Sequence, residues 1–502
     1  MSGTFLLALV ITPMLVPLVA VLLTQRSATL SGLLGATTAG AGFLGAVIMT
    51  VWFATGGDVI GVGGQVVGLR ADRLGALLLL LVFGISAVVQ AFALRYLRAD
   101  PRAWWFVAGS NLVTATSAGI ATAATLLTMA LAWTVGSVGV CVLLAMYRQL
   151  PAARDGLRRS MIAFLIGDVA LWTAVLLVSV RWGPVDLGKI SAQLDGPAAA
   201  VAALLIVIAA LSRSAQIPFH RWLPATLAAP TPVSALLHAG FVNAAGILLI
   251  RASPLTSTDI AVAATLVAGA ATMIYGALIA LTKPDVKGAL VFSTMAQMGF
   301  MTLTAGLGLW AATVIHLVAH GFYKASLFLS SGSAIAHHRR QAAIPAAPPL
   351  PRRRQAAFVG AAVLLPLAAL IAAALAIPAI GGHGSSQALL VFAWATGGAA
   401  TWGWLQRRPG VTGTLTAAAV LAPSALAYLG VINVVHAFLL PALPAESSSP
   451  LGVWALAVTV LGILIGLAVL QRGSTGTTLH RAVYAHALNA GHLSPQPIGA
   501  RL

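Results

Sequence analysis

The chain has 502 residues, of which 59 % are hydrophobic and only 8 % are charged, with a formal net charge of +18. Soluble domains carry roughly a quarter charged residues, so this chain cannot cover a water-facing surface. Composition therefore excludes a soluble enzyme, a disordered chain and a collagen-like repeat, and the continuous apolar runs argue against an outer-membrane barrel. The expected fold class is all-α, a polytopic membrane protein. The single cysteine, Cys141, excludes an intrachain disulfide.

A helix needs about 20 apolar residues to cross the bilayer, and on this basis we predict about 15 transmembrane helices. In chain order they cover residues 4–24, 29–54, 73–97, 104–125, 126–147, 160–181, 197–217, 232–252, 257–282, 285–307, 308–334, 356–377, 386–405, 411–437 and 450–471. The first is read as a retained helix because no basic segment precedes it, and a signal peptide is the alternative. Residues 58–72 are Gly-rich and predict a small outer hairpin, and residues 345–354 predict a stiff cytoplasmic linker.

Loop charge predicts the orientation. Most of the 28 lysine and arginine residues follow odd-numbered spans, and cytoplasmic loops carry the excess of basic residues. We therefore expect an outward N-terminus, a cytoplasmic C-terminus and a location in the bacterial plasma (inner) membrane. The basic balance is assigned to these loops and to anionic lipid headgroups. The polar tail from residue 473 is expected in the cytoplasm, with no long lateral helix after the last span.

Two histidines and a lysine in the eleventh span are the most informative ionisable residues. His316, His320 and Lys324 are spaced i, i+4 and i+8, which places them in one stripe along a helix face. Ionisable groups inside a membrane are costly and usually mark ion paths. Imidazole titrates near neutral pH and a desolvated lysine shifts towards that range, so the stripe predicts proton transfer. Histidines with a purely structural role are the alternative, and metal binding is weaker because no Asp, Glu or Cys lies nearby in this span.

Few other ionisable residues fall within spans. Asp168 lies well inside the sixth span, and its expected partner is Arg213, with Arg159 as a second candidate. The pair either modulates a proton site or is a static ion pair. The remaining two members of the predicted ion pathway are His238 in the eighth span and Lys287 at the start of the tenth.

Prolines interrupt the apolar pattern after the seventh span. Pro218 and Pro224 break the helix at membrane depth, and Gln216 and His220 supply polar groups around the break. Broken helices are tolerated in membranes only where the freed backbone is buried in protein or lines a cavity, and transporters use them to build ion sites. The segment therefore predicts an ion site, and a re-entrant loop without an ion role is the alternative.

Three ordered motifs resemble one known family. RSAQIPFHRWLPATLAAPTPVSALLHAG, KGALVFSTMAQMGFM and HLVAHGFYKASLFLSSGSAI are similar to signatures of the proton-conducting membrane subunits that include the antiporter-like subunits of respiratory complex I and Mrp-type Na+/H+ antiporters. The resemblance covers about residues 100–340. It implies two inverted five-helix repeats, each with a broken helix, joined by a hydrated polar axis. It aligns the family's broken-helix lysine with Arg213, its central histidine with His238, its eleventh-span His-His-Lys with the stripe, and an acidic sixth-span residue with Asp168.

Two positions depart from the family's pattern. Complex I-type subunits carry a Glu after the fifth-span Trp, whereas here Trp133 is followed by Thr134. They also carry a Lys or Glu in the second broken helix, whereas residues 356–405 here contain no Lys, Asp or Glu. Arginine stays protonated in proteins, so Arg213 is a poorer proton relay than a lysine. The segment YRQLPAARDGLRRSMIAFLIGD and the tail LHRAVYAHALNAGH resemble DabB, the membrane subunit of the Dab inorganic-carbon transporters.

The resemblance implies a two-part machine. Its partner would be a DabA-like peripheral subunit with a zinc site that hydrates CO2, while this chain carries protons or Na+ and holds no cofactor of its own. The alternatives are a proton-pumping subunit of an NADH–quinone oxidoreductase and a membrane scaffold with a decayed ion path. No nucleotide, flavin or haem motif and no nucleic-acid signature accompanies the spans, so we expect a transporter subunit that is not itself an enzyme. The expected divisions are residues 1–100, 101–253, 254–406, 407–472 and 473–502.

Overall fold

The computed structural model describes residues 1–23, 28–188, 196–283, 285–342, 352–377 and 384–445, with a few isolated positions beyond. This part of the chain forms α-helices and one short hairpin. The helices are α1 (Gly3–Leu23), α2 (Ala28–Ala54), α3 (Arg73–Tyr96), α4 (Ala103–Thr122), α5 (Leu126–Leu144), α6 (Pro151–Trp182), α7 (Pro197–Arg213), α8 (Thr231–Ala239), α9 (Ala244–Arg251), α10 (Asp259–Thr282), α11 (Val286–Gly306), α12 (Trp310–Leu329), α13 (Ser331–Ala342), α14 (Arg352–Ala376), α15 (Gly384–Arg407) and α16 (Val411–Leu439).

The helices are those of a membrane protein. Within the described ranges, 11 helical segments are long and apolar enough to cross a bilayer. Large aliphatic side chains such as Leu22 and Val180 point outward and are more than three-quarters exposed, which suits contact with lipid. A helix satisfies every backbone group within its own segment, and this is the condition for crossing hydrocarbon. The all-α polytopic class predicted from composition is confirmed.

Fourteen of the predicted spans fall on helices, and the fifteenth, residues 450–471, lies outside the described residues, as do most of the linker and the tail. Two helix boundaries differ from expectation in this part of the chain. The polar helix α13 follows α12 after a break at Ser330, where one span to residue 334 was predicted. Helix α14 begins at Arg352, so the last residues of the predicted linker are helical.

The Gly-rich segment between α2 and α3 forms the predicted hairpin. Strands β1 (Ile60–Gly63) and β2 (Gly68–Ala71) pair antiparallel, with Ile60 opposite Ala71. Gly63 has a φ of +104°, and a Cβ at this position would lie 2.5 Å from the Val67 carbonyl oxygen, so the turn requires glycine. Leu69 bridges to Ala123, which attaches the hairpin to the connection between α4 and α5.

Helices α8 and α9 form the centre of the molecule. All eight residues of α9 and eight of the nine in α8 are buried. Helix α12 packs against α8, and α10 packs tightly against α11. At the second contact a Cβ on Gly276 would lie 2.5 Å from the Ala296 amide nitrogen, so the helices approach at backbone distance. Polar side chains on α8, α11 and α12 are therefore held at fixed positions far from lipid.

The chain is broken between α7 and α8, as the prolines predict. Helix α7 ends at Arg213, and residues 214–230 follow an irregular path with two short 3-10 turns. The peptide bond between Ile217 and Pro218 is cis. Side chains and backbone satisfy the freed groups: the Gln216 amide donates to the Leu211 carbonyl, and the Ile217 amide donates to the Thr272 hydroxyl.

The eighth predicted span is confirmed as an apolar segment, Thr231–Arg251, that is long enough to cross the membrane, but within it α8 and α9 are separated by a turn at residues 240–243. Side chains take over the carbonyl groups that the interrupted helix leaves free. The Asn243 side-chain amide donates to the Ala239 oxygen at 2.7 Å, and the Ser214 hydroxyl donates to the Val242 oxygen. Prolines indicate the break between α7 and α8 in the sequence. The turn between α8 and α9 depends instead on Gly240 and on contacts from distant residues.

In the second half of the chain the broken helix is expected within residues 356–405, which hold most of α14 and α15 and a connection that lies outside the described residues. Helix α14 runs unbroken from Arg352 to Ala376 with Pro366 inside it. One proline removes one backbone donor, and the Leu- and Ala-rich residues around it are strong helix formers. The first break, in contrast, has four prolines between residues 218 and 232.

Candidate ion pathway

Helix α12 carries the predicted stripe. His316, His320 and Lys324 are all buried, each with at most 4 % of its surface exposed. The two imidazole rings are stacked, with centroids 5.8 Å apart, as the i, i+4 spacing requires. The stripe therefore faces the protein interior, and the predicted alignment along one helix face is confirmed.

The stripe meets the end of α8. The Nε2 atom of His320 lies 3.2 Å from the carbonyl oxygen of His238, and the His238 ring stacks on Phe328 at 4.5 Å. Gly321 permits this approach, because a Cβ there would lie 2.9 Å from the Ala239 oxygen. The structure thus brings His238 and the α12 stripe together at the break between α8 and α9.

Two lysines connect α11 to its neighbours. The Lys324 ammonium donates to the Ser293 hydroxyl at 2.5 Å and to the Leu290 carbonyl at 3.3 Å. Lys287, one turn before Leu290, donates to the carbonyls of Ala229 and Leu227 in the irregular segment at 2.7 and 3.3 Å. Both ammonium groups thus donate to neutral oxygens, and neither forms an ion pair with a carboxylate of the described residues.

Three of the buried imidazole nitrogens in this region have no hydrogen-bond partner among the described residues: Nδ1 of His238, Nε2 of His316 and Nδ1 of His320. Buried polar atoms are nearly always paired, and exceptions call for a reason. A nitrogen that is not committed to a static bond is available to accept or release a proton. This favours proton transfer over a purely structural role.

A separate charged group surrounds Arg213 at the end of α7. Its guanidinium is buried and donates at 2.8 Å to both the Trp133 carbonyl and the Ser137 hydroxyl. It lies over the rings of Trp133 and Phe241, 4.0 and 4.3 Å from their centroids. Cation–π contact with two rings fixes the planar group in position.

Asp168 is the acidic partner of this arginine. Its Oδ1 lies 3.6 Å from Nη2 of Arg213 and accepts a hydrogen bond from Ser137 at 3.1 Å. The predicted pairing with Arg213 is confirmed. The pairing with Arg159 is wrong, because Arg159 lies two turns towards the start of α6 and binds Asp155 at 2.7 Å.

The broken segment holds the remaining predicted residues. The Gln216 side-chain amide donates to the Ser214 carbonyl at 2.9 Å, and the His220 ring lies edge-on to Tyr275 of α10 at 5.0 Å. Pro218 follows the cis bond and Pro224 starts the second 3-10 turn. His220 therefore contacts α10, and among the described residues no ring contact or hydrogen bond joins it to the α12 stripe.

Phe241 connects the two charged groups. It packs on Arg213 and lies in the turn that begins two residues after His238. Sequence reasoning missed Phe241, Ser137 and Ser293. Ser137 carried a signal, because it follows Trp133 by four residues and so lies on the same helix face, whereas no local spacing indicated Ser293. At the position of the absent carboxylate, Thr134 accepts a hydrogen bond from Trp172 Nε1 at 2.9 Å.

Fold and site together define a polytopic helical membrane protein with buried ionisable side chains beside a broken helix. The family model described as "NADH:quinone oxidoreductase/Mrp antiporter, TM" matches residues 123–406. A second, described as "NADH-Ubiquinone oxidoreductase (complex I), chain 5 N-terminus", matches residues 64–107. The chain belongs to the NADH:quinone oxidoreductase/Mrp antiporter family of membrane proteins.

Curated relatives fall in two groups. The chain is 34 % identical over 287 residues to "Probable inorganic carbon transporter subunit DabB1" of Halothiobacillus neapolitanus, covering 55 % of this chain and 51 % of the relative. It is 32 % identical over 282 residues to "NADH-quinone oxidoreductase subunit L" of Mycobacterium tuberculosis, covering 55 % and 44 %. The chain spans about half the length of the curated relatives it matches.

Solved structures share the fold. A chain of the Mrp complex from Dietzia sp. DQ12-45-1b matches 97 % of this chain and 59 % of its own length, with a TM-score of 0.66 and 25 % identity. A chain of the archaeal membrane-bound sulfane sulfur reductase matches 98 % and 97 % with a TM-score of 0.62. The second likeness, at 16 % identity, concerns the fold alone.

Proposed function

We propose that this chain carries protons or Na+ across the bacterial plasma membrane as the membrane subunit of an inorganic-carbon transporter. Its partner would be a DabA-like, zinc-bearing peripheral subunit on the cytoplasmic side that hydrates CO2. The observation that carries ion transport is the buried stripe on α12, where two imidazoles and an ammonium follow one another at helical spacing. The similarity to DabB relatives supports the carbon substrate.

The proton route proposed here uses only groups of this chain. A proton passes between the imidazoles of His316 and His320 and the amine of Lys324, with water between groups that do not touch. At the inner end, the Ser293 hydroxyl and Lys287 lead along α11 towards the irregular segment. Each transfer moves one proton from a nitrogen or oxygen to the next acceptor and leaves the chain unchanged.

The Asp168–Arg213 pair acts on this route by charge. Arg213 is held by two rings and two oxygen acceptors, so it stays in place when Asp168 moves or is protonated. A change at Asp168 then alters the net charge beside Phe241, next to the α8–α9 break and His238. The pair thus modulates the proton affinity of the stripe and is not itself a relay.

The second candidate is a proton-pumping subunit of an NADH–quinone oxidoreductase, which the similarity to subunit L relatives favours. Co-purification of the full chain with the products of its neighbouring genes separates the two, followed by zinc analysis. We expect a soluble partner with bound zinc. Recovery of quinone-oxidoreductase subunits without a zinc protein would overturn the carbon-transport proposal and support the alternative.

A further inference from the structure

The stripe on α12 continues beyond His316 towards the start of the helix. Thr313 precedes His316 by three residues, so the two lie on adjacent turns of one helix face, and Trp310 begins the helix one turn before Thr313. Thr313 is fully buried, and its hydroxyl lies 3.0 Å both from the Thr304 hydroxyl on α11, to which it donates, and from the Leu309 carbonyl of its own helix. A hydroxyl pair thus stands one turn from an imidazole whose Nε2 has no partner among the described residues.

A cavity of about 390 Å³ lies at this end of α12. It has room for on the order of ten water molecules. Residues from the ends of α9 and α11, from the starts of α10 and α12 and from the segment after α16 line it, including Ser253, Thr256, Thr265, Gly306, Trp310 and Pro444. The Ser253 hydroxyl has no hydrogen-bond partner among the described residues, so it is available to bind water. Loop charge predicts that this end faces outward.

We propose that the Thr304–Thr313 hydroxyl pair is the outlet that joins His316 to the outer cavity. This inference rests on the proposed ion transport and adds the place where protons leave. A hydroxyl has one proton and two lone pairs. Thr313 therefore accepts a proton from His316 on a lone pair while its own proton passes to Thr304, and Thr304 passes its proton to a water that enters from the cavity, whose lining begins at the neighbouring Ala305. One proton moves outward and the hydroxyl is restored.

This outlet suits the sequence of the second half of the chain. Residues 356–405 contain no Lys, Asp or Glu, so a route through α14 and α15 would lack a charged relay. The route along α12 needs no charged relay beyond His316, because hydroxyls and water complete the path to the cavity. Threonine pairs also bind helices together without any transport role, and a purely structural pair predicts wild-type flux when the hydroxyl is removed.

The test is ion flux in vesicles that contain the full chain in its native complex. Thr313→Val keeps the shape and removes the hydroxyl, and we expect flux to fall by roughly tenfold or more, as for a lost proton-transfer group. Thr313→Ser should retain most of the flux. Thr122→Val is the matched control, since this buried hydroxyl donates to the Ala118 carbonyl of its own helix, and it should leave flux unchanged.

The parallel variant His316→Gln separates the two proposals. Loss of flux in His316→Gln with wild-type flux in Thr313→Val would overturn the outlet and leave ion transport through the stripe intact. Wild-type flux in both would overturn both. A second measurement uses Ser257→Cys in a Cys141→Ser background with a membrane-impermeant thiol reagent. Labelling from outside is expected, and labelling only from the cytoplasmic side would contradict an outer outlet.

Discussion

Two arginines end two central helices, and each meets an aspartate from another helix. Arg251, at the end of α9, forms a two-pronged pair with Asp72 at 2.5 and 2.8 Å. Arg213, at the end of α7, lies 3.6 Å from a single oxygen of Asp168 and is held mainly by aromatic rings and a carbonyl. In the Arg251–Asp72 pair both side chains are held by two mutual hydrogen bonds. In the Arg213–Asp168 pair the arginine is held by other groups, whereas the carboxylate is not fixed in this way.

This difference separates a structural clamp from a functional charge. Asp72 also caps α3, accepting from the Gly75 amide at 2.7 Å, and Arg251 donates to the Ala121 carbonyl at 3.1 Å. One bridge therefore ties together the ends of α3, α4 and α9. Among the described residues, Asp168 has Ser137 and Arg213 as its polar partners, so its charge can change while the surrounding helices stay in place.

The largest expected effect is on the clamp. Asp72→Asn leaves a buried guanidinium without its counter-ion, and breaking such a pair costs about 3–5 kcal/mol of folding free energy. Thermal unfolding of the purified protein in detergent should show a large loss of stability. Flux per folded molecule should stay close to wild type. A stable Asp72→Asn protein with lost transport would reverse the assignment of the two pairs.

The next effect is on transport through the second pair. Asp168→Asn keeps the shape and removes the charge, so we expect flux to fall about tenfold with a smaller loss of stability than Asp72→Asn. Asp155→Asn is the control on the same helix α6, because its pairs with Arg158 and Arg159 are partly exposed and contribute little. Equal flux in the two variants would mean that Asp168 is a static partner.

Arg213→Lys sharpens the comparison further. The ammonium lacks the planar group that lies over Trp133 and Phe241, but it can release its proton. We expect flux to become more dependent on pH than in the wild type, measured in vesicles at several pH values. An unchanged pH profile would show that residue 213 acts through its position alone.

The smallest effect is on acid stability. Burial raises the pKa of Asp72, but the charge and hydrogen bonds of Arg251 outweigh it and hold the pKa below its ordinary value of 3.8. A carboxyl with a lowered folded pKa stabilises the fold above its unfolded pKa, and this contribution disappears as pH falls through the folded pKa. Wild-type stability should therefore drop below pH 3.8 by more than that of Asp72→Asn, as followed by thermal unfolding.

Helix positions and the α12 stripe could be predicted from the sequence because both follow from local periodicity. The break after Arg213 was visible in its prolines. The break at Gly240 was not, since it depends on Asn243 and on Ser214 from a distant segment. Charge alone left Arg159 as a second candidate partner for Asp168 beside Arg213, and only packing shows that Arg213 is the partner. The Asp72–Arg251 clamp joins residues 179 positions apart, and no local pattern indicates it.

The most direct test of ion transport through the stripe is proton or Na+ flux in vesicles containing the full chain in its native complex, with Lys324→Met beside wild type. Methionine fills the site of the buried side chain but removes the ammonium that binds Ser293. If ions pass along the stripe, we expect flux to be lost while the complex assembles normally. Wild-type flux in an assembled Lys324→Met complex would contradict it and would support a membrane scaffold whose ion path has decayed.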